Sequence, residues 1–426
     1  NLTNAIGRLE SYLAGTTNEP AADLLRVKAG DLWIDQARNL SRQGNSGAAV
    51  AAATNALAQA RAHLTTVINQ FTNSSHLGRA WLNLGWAAWE EGAVLERTAS
   101  FQQSAAAFRT ASEQLTRSDD HAMAVYKLAD AQFYLKDFQA AATNYISVLT
   151  NYIDLPQVKN ALFDKTYSQL VRVNVELGNF AAARAYVADL RKDFPNSPLT
   201  EETLFFFGQA LAGTGAAAEA RAVFQDLLTN YPSSGRAAEA RFAEGRTYAA
   251  EGNYETALQK HDQWLGAFTN HVLLPQVEFQ RGVLLDKARQ ATNALAVFTQ
   301  FVTRYPANPL APAAQMWIAN YYENQQQPAL AEQNYQRVFQ NTNWAGVPLA
   351  YQARMNAART AFRRGSYDDA RSYLTNLVND PKCPVELQPE AWFALGDVFM
   401  KEPPAGSTNP VYNFIQAAAV FVRITN

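Results

Sequence analysis

Alanine returns at one phase along this chain, and bulky side chains follow it at a fixed distance. Ala141, Ala183, Ala220, Ala257, Ala294, Ala331, Ala370 and Ala417 stand 42, 37, 37, 37, 37, 39 and 47 residues apart. Four residues after each comes a mostly large side chain: Tyr145, Val187, Phe224, His261, Phe298, Tyr335, Leu374 and Phe421. Twelve residues before comes a mostly small one: Ala129, Val171, Gly208, Gly245, Gly282, Ala319 and Ala358, with Gly396 displaced by a longer loop in the last unit. A period held over so many units predicts stacked repeats, each packed on its neighbours, and not one globular core.

Each unit reads as two helices. Across 254–268 the positions Tyr254, Ala257, Leu258, Trp264, Leu265 and Phe268, with His261 among them, form one helical stripe. The spacing predicts the partner helix over 236–250, with Glu251-Gly252-Asn253 as the turn. Leu177-Gly178-Asn179, Gly213-Thr214-Gly215 and Arg364-Gly365-Ser366 are similar turns, where Gly or Asn takes the left-handed conformation that ends a helix. Second helices are predicted to stop at Thr150-Asn151-Tyr152, Phe194-Pro195, Tyr231-Pro232, Thr269-Asn270 and Tyr305-Pro306. Proline cannot continue a helix and biases the residue before it away from helical geometry. Small side chains let the two backbones approach to about 8–10 Å, and the large residue is the knob that fills the crossing.

The pattern resembles the tetratricopeptide repeat: a large residue, Leu and Gly or Ala in the first helix, then Ala, an aromatic and Pro in the second. Ala391-Trp392-Phe393-Ala394-Leu395-Gly396 and Trp81-Leu82-Asn83-Leu84-Gly85 carry the first-helix motif. Two irregular helix pairs, over 22–71 and 77–116, precede the regular units, so the resemblance covers nearly the whole chain. It implies an all-α, right-handed superhelical solenoid of about ten antiparallel helix pairs. Irregular repeats over 1–120 are expected to run on into regular ones over 121–426. The endings Phe194-Pro195-Asn196-Ser197-Pro198 and Tyr231-Pro232-Ser233-Ser234 are similar to bacterial envelope proteins of the Tol-Pal coordinator and outer-membrane assembly lipoprotein type. That similarity implies a bacterial, periplasmic or envelope-associated setting, with the cytoplasm as the alternative.

In this family the first helices line a concave face that binds peptides or helices. Carried onto this chain, the facing positions are Trp86, Trp89, Asp130, Phe133, Arg172, Arg246, Asn320, Glu323, Arg359, Phe362, Arg363 and Asp397. Arginines and aromatics are the residue types that dominate binding hot spots. The family's carboxylate clamp needs Lys and Asn at set positions. Here those are Met316 and Asn320 in one unit and Phe242 and Arg246 in another, so no clamp for an acidic tail is expected.

Composition narrows the picture further. The 426 residues are 48% hydrophobic and 17% charged, with a formal net charge of −2, which offers no basic field to nucleic acid or an anionic membrane. No uninterrupted apolar run reaches about 18 residues, so no transmembrane segment is expected. The single cysteine, Cys383, excludes an intrachain disulfide and a cysteine zinc site. The chain opens at Asn1 and not at Met, and reads as a processed or excised segment.

Chemistry is sparse. His63, His76, His121, His261 and His271 include no i, i+4 pair, and His261 reads as a core side chain. Gly213-Thr214-Gly215 has no strand before it and reads as a turn, not a dinucleotide loop. Asp119-Asp120, Glu90-Glu91 and Asp368-Asp369 read as helix starts or exposed faces. The expectation is a non-catalytic scaffold for a protein or peptide partner, without cofactor or metal. The alternatives are a self-associating structural subunit and an accessory helical region of a larger enzyme. The last helix, over 411–424, carries Phe414, Ile415, Val420, Phe421, Val422 and Ile424. It is apolar around much of its girth, so it is expected to be covered by further repeats, another domain or a partner chain, self-association included.

Overall fold

The structure is a computed structural model that describes residues 2–15, 21–44, 46–344, 346–402 and 411–425, the side chains of 412, 424 and 425 excepted. Only helices and their connections occur among these residues, as the repeat pattern predicts. The chain divides into two units, Asn1–Arg236 and Ala237–Asn426.

In the first unit a leading helix, Leu2–Gly15, packs on the first of five helix pairs. The pairs are Ala22–Arg42 with Gly47–Gln70, Leu77–Leu95 with Thr98–Gln114, Asp119–Tyr134 with Phe138–Asn151, Asp164–Glu176 with Phe180–Asp193, and Pro198–Gly213 with Ala217–Asn230. The long 42-residue interval between alanines is taken up where Pro156–Val158 and a π-helical turn, Lys159–Phe163, lead into the fourth pair.

The second unit also holds five pairs: Ala237–Ala250 with Tyr254–Ala267, Leu274–Lys287 with Ala291–Arg304, Ala311–Asn324 with Pro328–Gln340, Pro348–Arg363 with Tyr367–Val378, and Gln388–Lys401 with Val411–Thr425. Within each unit a first helix packs on its own second helix and on the second helix of the pair before it. That nesting makes each core a chain of neighbour contacts.

The crossing inside each pair is an interlock of small against large. The eight column alanines, from Ala141 to Ala417, are all at most 1% exposed. A β-carbon added to Gly208 would lie 2.5 Å from Phe224, and one on Gly282 would lie 2.7 Å from Phe298. Those rings are fully buried, and such burial stabilises by roughly 1.5–3 kcal/mol per side chain. The first two pairs use the same device, which the alanine spacing did not reveal. There Gly30 meets Leu64 and Gly85 meets Phe108. Ala60 and Ser104 take the alanine place, and the Ser104 hydroxyl donates to the Gly85 carbonyl at 3.0 Å. Ala22–Arg42, Gly47–Gln70 and Leu77–Leu95 run to 21, 24 and 19 residues against the usual 14, so the interval shifts while the contact persists.

The turns are as regular as the crossings. A left-handed residue precedes each of the seven column alanines from Ala141 to Ala370 by five positions: Lys136, Gly178, Gly215, Gly252, Arg289, Gln326 and Gly365. Second helices are then capped where the sequence allows. Asp137, Asn179 and Asn253 side chains accept from the backbone N–H of Ala140, Ala182 and Thr256, each cap contributing about 1 kcal/mol.

Two glycine substitutions of opposite sign test the interlock. Gly282→Ala is expected to lower stability by about 1–3 kcal/mol, because its methyl has no room. Gly266→Ala, on an exposed helical position with nothing within 4 Å, is expected to gain about 0.4–1 kcal/mol. Denaturant melts of the two variants against the parent chain measure both.

Candidate functional site

The twelve positions expected to face a partner all lie on first helices, and the structure divides them into packing residues and a groove. In the first unit the centre is a side chain that pattern reasoning passed over. Lys127 is 5% exposed, with its ammonium 3.5 Å from the Trp89 ring centre, 4.8 Å from that of Trp86 and 2.6 Å from the Asp130 carboxylate. Burial holds its pKa below the ordinary lysine range, and Asp130 opposes that shift. Asp130 also accepts from the Tyr145 hydroxyl and, at 3.3 Å, from the Gln169 amide. The Arg38 guanidinium lies 4.8 Å over Trp86 and pairs with Glu90 at 2.7 Å.

Trp86, Trp89 and Asp130 are thus committed to neighbouring helices. Phe133 packs on Phe138, and Arg172 lies over Phe206. The exposed aromatic at this end is Tyr134, stacked on Phe101 and edge-on to Trp89.

The second unit brings five of the expected residues to one groove of about 580 Å³: Glu323, Arg359, Phe362, Arg363 and Asp397. Met355 and Val398 form a buried apolar floor, while Phe362 and the exposed Phe393 form walls. Arg363 pairs with Glu323 and Arg359 with Glu390, each pair joining one first helix to the next. Glu323 also accepts from the Tyr335 hydroxyl, whose oxygen lies 2.6 Å from the Asn320 side-chain amide. Arg246 is exposed beside Phe242 and is not among the lining residues.

Phe393 was missed because it reads as part of the first-helix motif, and Glu390 because no motif marks it. A cross-helix partner for Arg359 was the signal that could have found Glu390.

The remaining chemical candidates are structural. His261 is 2% exposed and takes the knob position against Gly245. Its Nδ1–H donates to the Ala257 carbonyl at 2.8 Å, and its Nε2 is buried with no partner among the described residues. Burial pushes its pKa down, the Ala257 bond opposing. Gly213-Thr214-Gly215 is the end of one helix and the turn to the next. Asp119-Asp120 and Asp368-Asp369 open helices. Glu90 and Glu91 sit otherwise than expected: they are held by Arg38 and Arg61 in a half-buried cross-helix setting. Cys383 is buried, which pushes its thiol pKa up. Among the described residues no group of three or more His, Cys, Asp or Glu side chains is placed to hold a metal, and no helix is long and apolar enough to cross a membrane.

Residues 169–235, 279–343, 318–384 and 355–403 match the family described as Tetratricopeptide repeat. No curated protein matches the chain. Among solved structures, a tetratricopeptide repeat protein from Parabacteroides merdae ATCC 43184 is 13% identical, over 72% of this chain and 99% of that one, with a TM-score of 0.38. The apo form of RapI is 14% identical over 94% of this chain and 99% of that one, with a TM-score of 0.45. YrrB, described as a TPR protein with an unusual peptide-binding site, is 20% identical over 50% of this chain and 97% of that one, with a TM-score of 0.33. At these identities the likeness is one of fold alone.

The buried histidine sets a pH dependence. The unfolded chain takes up a proton on His261 below about pH 6.5, whereas the folded state resists it. Stability is therefore complete above that pH and falls as the pH drops below it. His261→Phe, which copies the knobs at Phe224 and Phe298, is expected to remove this loss, worth up to about 2 kcal/mol at pH 5. Paired urea melts at pH 7.5 and 5 measure it; equal slopes for parent and variant would contradict the assignment.

Proposed function

We propose that this chain, which carries tetratricopeptide repeats, is a non-catalytic scaffold that holds a peptide, helix or subunit of another protein on its first-helix face. One observation carries the reading. In the second unit, first helices converge on an open groove with a buried apolar floor, aromatic walls and a charged rim. That is the anatomy of a protein-binding hot spot: an apolar anchor site ringed by polar groups. The fold is typically an interaction scaffold, and four of the five charged side chains at the groove are paired with one another, not set out as acid, base or nucleophile. A bacterial, envelope-associated assembly is the proposed setting, supported by the Phe194-Pro195 and Tyr231-Pro232 repeat endings.

The test is differential capture from native lysate. The parent chain and a Phe362→Ala/Phe393→Ala variant are used as baits, with circular dichroism confirming that both are folded. Truncating two anchors at a hot spot costs at least about 2 kcal/mol, so a true partner is expected to fall by more than tenfold on the variant. Equal recovery of every captured protein contradicts the reading.

A second reading, self-association, rests on the last helix. It buries Ala417 and Val420 against its neighbour, yet leaves Phe414 45%, Ile415 58% and Val422 56% exposed. The side chain of Ile424 lies outside the described residues. Light scattering that grows with concentration in the parent chain, and not in Ile415→Lys, is the outcome this reading requires.

A further inference from the structure

We propose that the groove of the second unit takes a basic amphipathic segment, with a large apolar side chain entering between Phe362 and Phe393 and a lysine or arginine meeting Asp397. This rests on the scaffold reading above and specifies the chemistry of the partner.

The charge balance of the groove carries the argument. Five charged side chains line it: Glu323, Arg359, Arg363, Glu390 and Asp397. Both guanidiniums are already held by carboxylates of this chain, Arg359 by Glu390 and Arg363 by Glu323. An arriving carboxylate would have to share a guanidinium with Glu323 or Glu390, beside a like charge, in a groove that holds three carboxylates against two guanidiniums. Asp397 stands differently. Among the described residues it has no hydrogen-bond or ion-pair partner, although it lines the same groove. The charge left over after internal pairing is therefore one carboxylate, and its complement is a cation.

The apolar half of the site sets the second requirement. Met355 and Val398 are at most 1% exposed and form the floor, while Phe393 is 57% exposed on the wall. A large aromatic left open above a dry floor is an anchor for a partner's apolar side chain. A cation brought to Asp397 also comes near the Phe393 ring, where the ring face favours it further. A purely acidic tail meets neither requirement.

The experiment uses the full chain as bait for a random twelve-residue peptide library displayed on phage. A synthetic copy of the best-enriched peptide is then measured by fluorescence anisotropy. The expected result is enrichment of lysine or arginine close to a leucine or aromatic, with affinity falling at least tenfold on Asp397→Asn and at least tenfold on Phe393→Ala. A peptide with its basic residue changed to glutamate is expected to bind poorly to the parent chain and to recover on Asp397→Lys. Acidic or neutral peptides that lose affinity on Phe393→Ala but ignore Asp397→Asn overturn the basic-partner inference and leave the scaffold reading standing. Peptides indifferent to both substitutions, or a library yielding no groove-dependent binder, overturn both.

Discussion

Everything in this molecule depends on how closely two helices of one pair can approach. A small residue on the first helix and a large one on the second meet at a crossing with no spare room. Gly282 against Phe298 and Gly208 against Phe224 show how little a single methyl could be tolerated. Because the contact recurs in pair after pair, each unit has no central core to organise it. Its stability is assembled locally, and its first helices are held side by side as a consequence. The groove of the second unit is a by-product of that arrangement, since its walls come from successive first helices.

The same arrangement explains why the expected partner-facing residues divided as they did. Side chains projecting from adjacent first helices are close enough to pair with each other before any partner arrives. Lys127 reaches both tryptophans of the preceding first helix while pairing with Asp130 on its own, and Arg363 and Arg359 take up Glu323 and Glu390. Pairing across helices cross-links neighbouring helix pairs and neutralises most of the groove's charge. What remains open in the second unit is an aromatic wall, an apolar floor and one carboxylate, the features on which the proposed recognition rests.

The helices, their pairing and the crossings were legible in the sequence because they follow from a period along one dimension. The alanine and glycine columns by themselves locate eight of the ten crossings among the described residues. The crossings at Gly30 and Gly85 escaped because longer helices changed the interval without changing the contact. The left-handed turns at Lys136, Arg289 and Gln326 escaped because no glycine marks them; the same local backbone bonds that close a glycine-ended helix close these, as from the Asp137, Gln290 and Gln327 N–H groups to the Gln132, Leu285 and Tyr322 carbonyls. The groove was half legible. Its facing positions follow from helical phase, but Phe393 and Glu390 enter through contacts between helices whose register no single-helix pattern records, as does Lys127 among the tryptophans of the first unit.

A double-mutant cycle at Gly282 and Phe298 tests most directly whether the interlock is the source of stability. The cost of adding a methyl at Gly282 is measured with phenylalanine and then with leucine at position 298, by urea unfolding. If the two side chains compete for one space, the smaller knob relieves the added methyl, and the two changes couple by about 1 kcal/mol or more. Additivity within about 0.3–0.5 kcal/mol would show that the two sites act independently, and that the repeats are held together by something else.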